Sequence, residues 1–448
     1  MAKSYKIICT TILAAASVSG MAQNGINSPY SRYGFGMLSD RSMGFNKGMG
    51  GVAQGFRNGQ EINVANPASY SAVDSLTALF DFGLSLYNGN YKMGKLQQNA
   101  KNSSFDYAAF HFRAAKGVGV AAGILPYSNI KYSFYSADER IEGVADNISS
   151  SYTFSGDGGL HQVFVGAGWQ IVKPLSIGFN ASYLYGSYSH KMALSFSESS
   201  INSINRGYTA EDIATYMLDL GLQYTMNLNK EDKLTLGLSY SLGHDMSGSA
   251  VRYTSTSNSG ESRDTISNAF QLPHSFAAGL TYYHKNKLRV GADFELQKWS
   301  DVRFPTQETS INGGGASYIS AKGLLNDKMR ISVGADYIPN PFGRKYLNHV
   351  SYKIGGYYSK SYANADMTGT ITDKPYEFGV SAGVAFPIIN RNVWYNSPKV
   401  NVSLQWVHSN IPYLNSQTKK ADKLTENYLK LCVGLTFSER WFYKWKVQ

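Results

Sequence analysis

Leu288-Arg289-Val290-Gly291-Ala292-Asp293-Phe294-Glu295-Leu296-Gln297 alternates apolar and polar side chains without a break. Val400, Val402, Leu404 and Trp406 alternate in the same way with Asn401, Ser403 and Gln405. Successive side chains of a strand point to opposite faces, so each segment has one oily and one wet face. From Leu76 to Phe437 the pattern returns about fourteen times, in segments of 9 or more residues. Strands of a soluble sandwich are shorter. Alternating segments of about ten residues, separated by turns, mark a barrel with lipid outside and a polar interior.

The ends of the segments set a topology. The spacing predicts strands at 76–88, 104–114, 117–136, 160–171, 175–197, 212–228, 233–246, 267–284, 287–304, 327–338, 347–360, 374–388, 398–409 and 426–437. Tight links follow the second, fourth, sixth and eighth: Ala115-Lys116, Val172-Lys173-Pro174, Asn229-Lys230-Glu231-Asp232 and Lys285-Asn286. Pro339 to Tyr346 and Ile389 to Ser397 are somewhat longer, and the other links span about ten to twenty Ser-, Asn-, Thr- and Gly-rich residues. Short periplasmic turns, longer outer loops and an even strand number belong to outer-membrane barrels. The expected fold is all-β: a 14-stranded antiparallel transmembrane β-barrel with both strand termini in the periplasm.

The flanking segments fit an exported protein. Lys3 and Lys6, an apolar run from Ile7 to Gly20, and Gly20-Met21-Ala22 before Gln23 read as a signal peptide over 1–22. The run is too short for a spanning helix. Cys9 lies at its start, so lipoprotein-type cleavage is not expected. These features place the protein in the outer membrane of a Gram-negative cell. Residues 23–75 do not alternate, and are either a disordered leader or a plug (hatch) folded into the lumen. Tyr30, Tyr33, Phe35, Phe45, Met49, Phe56 and Tyr70 recur there, which favours the plug. Residues 438–448 form an expected periplasmic tail in which Trp441, Phe442, Tyr443 and Trp445 interleave with lysines, as in an interfacial anchor or docking tail.

Composition narrows the chemistry. The 33 Tyr and 22 Phe suit aromatic girdles, and the 44 Gly recur at inward positions, where they make room. The formal charge is +11. On an exported barrel, that charge points to outer-membrane lipid and lipopolysaccharide as counter-charge and not to nucleic acid. Cys432 is the one cysteine after Ala22, so no disulfide frame is expected. The eight histidines (His111, His161, His190, His244, His274, His284, His349 and His408) show no metal-ligand spacing, and Ser275 beside His274 has no motif around it. No metal, cofactor or catalytic residue is expected, and the protein is not expected to be an enzyme. Inward charges (Asp219, Arg289, Asp293, Glu295, Arg330, Asp336, Lys353, Glu377, Lys430) could line a polar channel. The preferred reading is an interior network, among themselves and with Arg32, Arg41, Lys47 and Arg57.

Asn66-Pro67-Ala68 before the first strand, the strand count and the glycine-rich N-terminal segment resemble the FadL-type family of outer-membrane hydrophobic-compound transporters. The branch that includes PorV-like proteins is the nearer likeness. Gly117 to Ser128 and Leu272 to Leu280 share the family's strand texture, and Ser28-Pro29-Tyr30-Ser31-Arg32-Tyr33-Gly34 resembles uncharacterised members of that branch. The resemblance implies a luminal hatch with Asn66, Pro67 and Ala68 at its barrel-proximal turn; an ordinary turn entering a strand would use the same residues. It also implies a kinked third strand. Pro126 removes a ladder donor, and the expected lateral gate lies between Gly123 and Asn129, with Leu125 beside it. The alternative is a strand that ends there. Phe164, Leu184 and Tyr283, apolar on otherwise polar faces, are the expected apolar pocket. Two functions remain open: passive uptake of a hydrophobic small molecule, or a non-transporting subunit of an outer-membrane protein complex for secretion or assembly.

Overall fold

The computed structural model of the protein describes residues 27–94, 96–140, 149–197, 201–308, 317–364, 374–388, 398–414 and 421–440. The expected signal peptide and residues 441–448 of the expected tail lie outside them.

A two-residue strand, β1 (Met37–Leu38), belongs to the N-terminal segment. The wall begins with β2 (Thr77–Met93), β3 (Leu96–Ala115), β4 (Val118–Arg140), β5 (Ser149–Val172), β6 (Leu175–Phe196) and β7 (Ile204–Asn227). The seventh stave is broken into β8 (Asp232–Ser241) and β9 (Asp245–Thr256), and the eighth into β10 (Ser259–Ser267), β11 (Phe270–Gln271) and β12 (Ser275–His284). Next come β13 (Leu288–Gln297), a separate hairpin of β14 (Phe304–Glu308) and β15 (Ser317–Ala321), and β16 (Lys328–Tyr337). The wall ends with β17 (Ser351–Lys360), β18 (Tyr376–Pro387), β19 (Lys399–Leu414) and β20 (Ala421–Arg440). Neighbouring staves pair antiparallel, and β20 returns to β2 from Thr77 opposite Arg440 to Met93 opposite Leu424. The described residues therefore form a closed barrel of fourteen staves.

Burial is inverted relative to a soluble protein. Leu84, Val163, Phe179, Leu220, Leu238, Val333, Ile354 and Leu404 are exposed on the outer face. Their alternating neighbours Ser85, Gln162, Asn180, Asp219, Ser332, Lys353 and Ser403 are buried on the inner one. So continuous an apolar exterior is stable only against lipid.

The staves differ in height. β12, β13, β16 and β17 have 10 residues each, about what a tilted strand needs to cross a bilayer. β4 to β7 have 22 to 24, so one side of the barrel stands about a second membrane-thickness high at the outer end. This corrects several sequence-based bounds. The second, fourth and sixth staves start at Leu96, Ser149 and Ile204, not at 104, 160 and 212, because above the membrane both faces meet water and alternation fades. The expected single strands 233–246 and 267–284 are interrupted at Leu242–His244 and Leu272–His274. The strand expected over 287–304 stops at Gln297, where a 3-10 turn at Trp299–Asp301 tucks Trp299 inward.

Candidate functional site

Residues 28–74 run through the barrel, and inward glycines make the space for them. Gly119, Gly168, Gly178 and Gly221 face one another across four adjacent staves. A Cβ at Gly178 would lie 2.4 Å from the Pro67 carbonyl, and one at Gly119 2.0 Å from the Tyr70 oxygen. A second row, Gly291, Gly334 and Gly355, receives Val52 and Met49 in the same way. The backbone docks where the wall has no side chains.

Asn66, Pro67 and Ala68 sit on the first row. The Asn66 side chain accepts from Ala68 N (3.2 Å), capping a 3-10 turn over Pro67–Ala72 whose first residue is proline. Its Nδ2 donates to the carbonyls of Gln54 (3.0 Å), Leu222 (3.3 Å) and Leu238 (3.2 Å). The motif thus joins two parts of the luminal segment to β7 and β8.

Charged groups fix the rest. Lys47 Nζ lies 2.7 Å from Asp106 Oδ2, and Arg41 Nη1 3.0 Å from Asp219 Oδ2. Glu61 meets Arg289 at 3.5 Å and Lys399 at 3.3 Å, while Arg289 also pairs with Asp336. Burial alone would raise the Glu61 carboxyl; Lys399, Arg289 and Lys353 outweigh it and hold the group at about 2. Asp293 Oδ2 accepts from the amides of Ala53 (2.6 Å) and Gln54 (2.9 Å), and Arg330 donates to Gly50 O (3.1 Å). Glu377 accepts from Tyr357 (2.6 Å), and Lys353 donates to Asn401 (2.9 Å). Arg57 donates to Ser71 Oγ (2.9 Å), and Arg32 stacks 4.0 Å over the Phe154 ring. Asp106 escaped the alternation because it is the extra residue of a bulge, with Gly83 opposite Tyr107 and Leu84 opposite Phe105. The bulge turns both Asp106 and Tyr107 inward, and the shift of the phenylalanines from an odd position (Phe105) to even ones (Phe110, Phe112) is the sequence signal for it.

The expected gate lies on an irregular part of the wall. Pairing of β3 with β4 runs from Ala115 opposite Val118 to Ala108 opposite Ile124, and none is found beyond it among the described residues. β4 does not end there. It continues past Pro126 on β5, with a bulge between Pro126 and Ser128. The edge it turns toward β3 is covered from inside: β1 sets Met37 opposite Asn129 and Leu38 opposite Ser128. Ser39 N donates to Tyr127 O (2.9 Å), and Ser31 Oγ contacts both N and O of Lys131 (3.3 Å each). Gly123 and Leu125 lie below this seam, where a Cβ at Gly123 would touch the Phe164 ring at 2.8 Å.

The expected apolar pocket is not assembled. Phe164 and Leu125 belong to a lower cluster with Phe45, Phe56 and Tyr70. Leu184 belongs to an upper cluster with Phe35, Tyr188, Phe270 and Trp299. The Tyr283 hydroxyl instead accepts from Arg57 N (2.6 Å). His274 bonds Tyr240 (2.8 Å) and Gly243 N (3.2 Å), not Ser275. Two cavities of about 130 and 120 Å³ flank Leu38–Asp40, and Asp40, Lys328 and Arg330 line both. Both walls mix these charges with apolar groups such as Leu38 and Pro126.

The start of the segment is bound as closely as its end. Ser28 Oγ accepts from Tyr30 N (3.1 Å) and donates to Glu426 Oε1 (2.5 Å). Tyr30 bonds Ser361, and Tyr362 Oη donates to Gly36 O (2.5 Å).

The model of the BamG family matches residues 1–448. The chain belongs to the BamG family. Its barrel resembles that of the P. putida toluene transporter TodX, at 14% identity over 91% of this chain and 100% of that one, with a TM-score of 0.59. A Pseudomonas aeruginosa FadL homologue matches at 10% identity over 90% and 99%, also with a TM-score of 0.59. The Ralstonia pickettii toluene transporter TbuX matches at 14% identity over 90% and 98%, with a TM-score of 0.53. At these identities the likeness is one of fold: an outer-membrane barrel of the FadL type, a fold that these channels share. No curated protein matches the sequence.

Proposed function

We propose that this protein is a sealed outer-membrane barrel that acts as a subunit of a membrane protein complex. The observation that carries this reading is Phe35. A transporter of apolar compounds needs an oily chamber between its outer loops and its hatch. Here that space holds Phe35 of the luminal segment, packed against Tyr188, Phe270, Trp299 and Phe304 of the wall and outer hairpin. The two cavities beside Leu38–Asp40 both carry Asp40, Lys328 and Arg330 in their walls, charges that an apolar cargo would have to desolvate. A barrel that conducts nothing acts through its surface, and the tall crest of β4 to β7 offers one above the membrane. Purification in a mild detergent tests this. A stoichiometric partner, together with proteoliposomes no more permeable to toluene than protein-free ones, is expected. A solitary barrel that raises toluene flux would overturn it.

A second reading, gated passive uptake of small hydrophobic molecules, is favoured by the seam beside Pro126, where among the described residues the short β1, with Ser31 and Ser39, covers the β4 edge in place of β3. In that reading β1 withdraws and the molecule leaves sideways into the bilayer. Transport by Pro126→Val equal to that of the unaltered protein would remove it.

A further inference from the structure

Above the membrane the wall divides. The outward residues of β2 change from Phe80, Leu84 and Leu86 to Asn88, Asn90 and Lys92, all exposed. The bilayer therefore ends near Leu86, about ten residues above Thr77. Beyond that level β19, β20, β2 and β3 stand as one upright sheet, and β4 to β7 with β9 and β10 as another. β3 and β4 pair only from Ala115 opposite Val118 to Ala108 opposite Ile124. Among the described residues, 96–104 of β3 thus pair with β2 on one side and with no strand on the other.

Such a row of open N–H and C=O groups is a template for another chain, and proteins blunt it with proline, charge, bulges or shortness. The other three edges of the two upright sheets are blunted. That of β19 beyond Asn410 is short, residues 411–414, and contains Pro412. That of β10 exposes Glu261, Arg263 and Asp264. That of β4 is bent by a bulge between Ser136 and Glu139. By contrast, Gln97-Gln98-Asn99-Ala100-Lys101-Asn102-Ser103-Ser104 has one lysine, no proline and no bulge. Asn99 Nδ2 donates to Asn88 (2.9 Å) and Asn90 (2.8 Å), which ties this arm to β2. Asn102 Nδ2, on the same arm, is buried without a hydrogen-bond partner.

We propose that the β3 edge over residues 96–104 is the docking site for one extended strand of a partner protein on the outer side of the membrane, added to the upright sheet through backbone bonds. The inference rests on the subunit reading and names its contact. A row of backbone groups at strand spacing is matched along its length only by another backbone, which lipid does not supply. The one charge of the edge, Lys101, calls for an acidic side chain opposite it on the incoming strand. Asn102 Nδ2 calls for an acceptor.

The test uses the full-length barrel and the complex that mild detergent releases. Gln97→Lys with Ser103→Lys sets three lysines in alternation along the edge. This variant is expected to lose most of its partner, whereas Ser262→Lys with Thr265→Lys on β10, the same added charge, retains it. Within the unaltered complex, about half the amides of residues 96–104, those turned away from β2, are expected to exchange more slowly than in the barrel stripped of its partner. Residues 259–267 should not change. The exchange comparison needs no variant, so it decides the matter if the lysine variant does not fold. A folded lysine variant that keeps its partner, or equal exchange over 96–104 with and without the partner, overturns the proposal and leaves the subunit reading standing. A complex whose second component is another copy of this chain also overturns it. An unaltered barrel that purifies alone overturns both.

Discussion

Lys47 and Asp106 form an ion pair inside the barrel, 2.7 Å apart and both less than a tenth exposed. Lys430, at 3.8 Å, is the next cation to the same carboxylate. Removing one partner of a buried pair leaves a charge without compensation, at a cost of about 3–5 kcal/mol. Lys47→Met is expected to lower the urea midpoint of the bilayer-folded barrel accordingly. Adding Asp106→Asn should recover much of the loss, and a double variant no better than Lys47→Met would contradict the pairing.

Gly178 lies against the Pro67 carbonyl, whereas Gly260 has open space where its Cβ would be. Gly178→Ala must therefore lift the 3-10 turn off the wall, and Gly260→Ala need move nothing. The first is expected to make the luminal segment cleavable by added protease while the wall survives; the second should match the unaltered protein. Equal protection of all three would mean that the segment does not depend on the glycine row.

Docking of the segment should weaken in acid. Glu61 ionises at about 2 in the folded protein, below the ordinary carboxylate value of about 4.3, because Lys399, Arg289 and Lys353 surround it. A depressed carboxylate stabilises the folded state above its unfolded value, and that contribution is lost as the pH falls from about 4.3 towards 2. Hydrogen exchange in residues 58–64 is expected to accelerate across that window. Glu61→Gln should exchange faster at neutral pH and show a flatter profile in acid; an unchanged profile would assign the effect elsewhere.

Asn66 uses its amide nitrogen on three carbonyls and its oxygen on Ala68 N. Asn66→Asp keeps the cap but turns a carboxylate toward three acceptors. It is expected to destabilise more than Asn66→Ala, which loses a cap usually valued at about 1 kcal/mol plus the bonds to the wall. Thermal midpoints that rank the aspartate above the alanine variant would reverse this account.

The staves were legible because lipid imposes a rule on every second residue, as at Leu288–Gln297, and because tight turns such as Ala115-Lys116 mark the inner ends. Their outer ends were not. Leu96 to Ser104 has no oily face, yet it pairs with β2 through backbone bonds that any side chain permits. Asn66-Pro67-Ala68 is visible as a cap followed by a proline; its two wall carbonyls, Leu222 and Leu238, lie 156 and 172 residues away and leave no local trace. The expected apolar pocket is split for a related reason. Phe164, Leu184 and Tyr283 all point inward, but direction carries no height: Phe164 and Leu184 fall in separate apolar clusters, and the Tyr283 hydroxyl meets the Arg57 backbone.

The hydrogen bond from Ser28 to Glu426 spans 398 positions of the chain, which sets an order of events during folding. The segment that fills the bore is synthesised before any stave, yet its final anchor arrives on the last one. Until β20 has joined β2, the segment has a partial wall to lean on and its buried charges lack part of their surroundings. Closure of the wall and the last anchoring of the segment are therefore a single event: the bond from Ser28 to Glu426 can form only when β20 is in place.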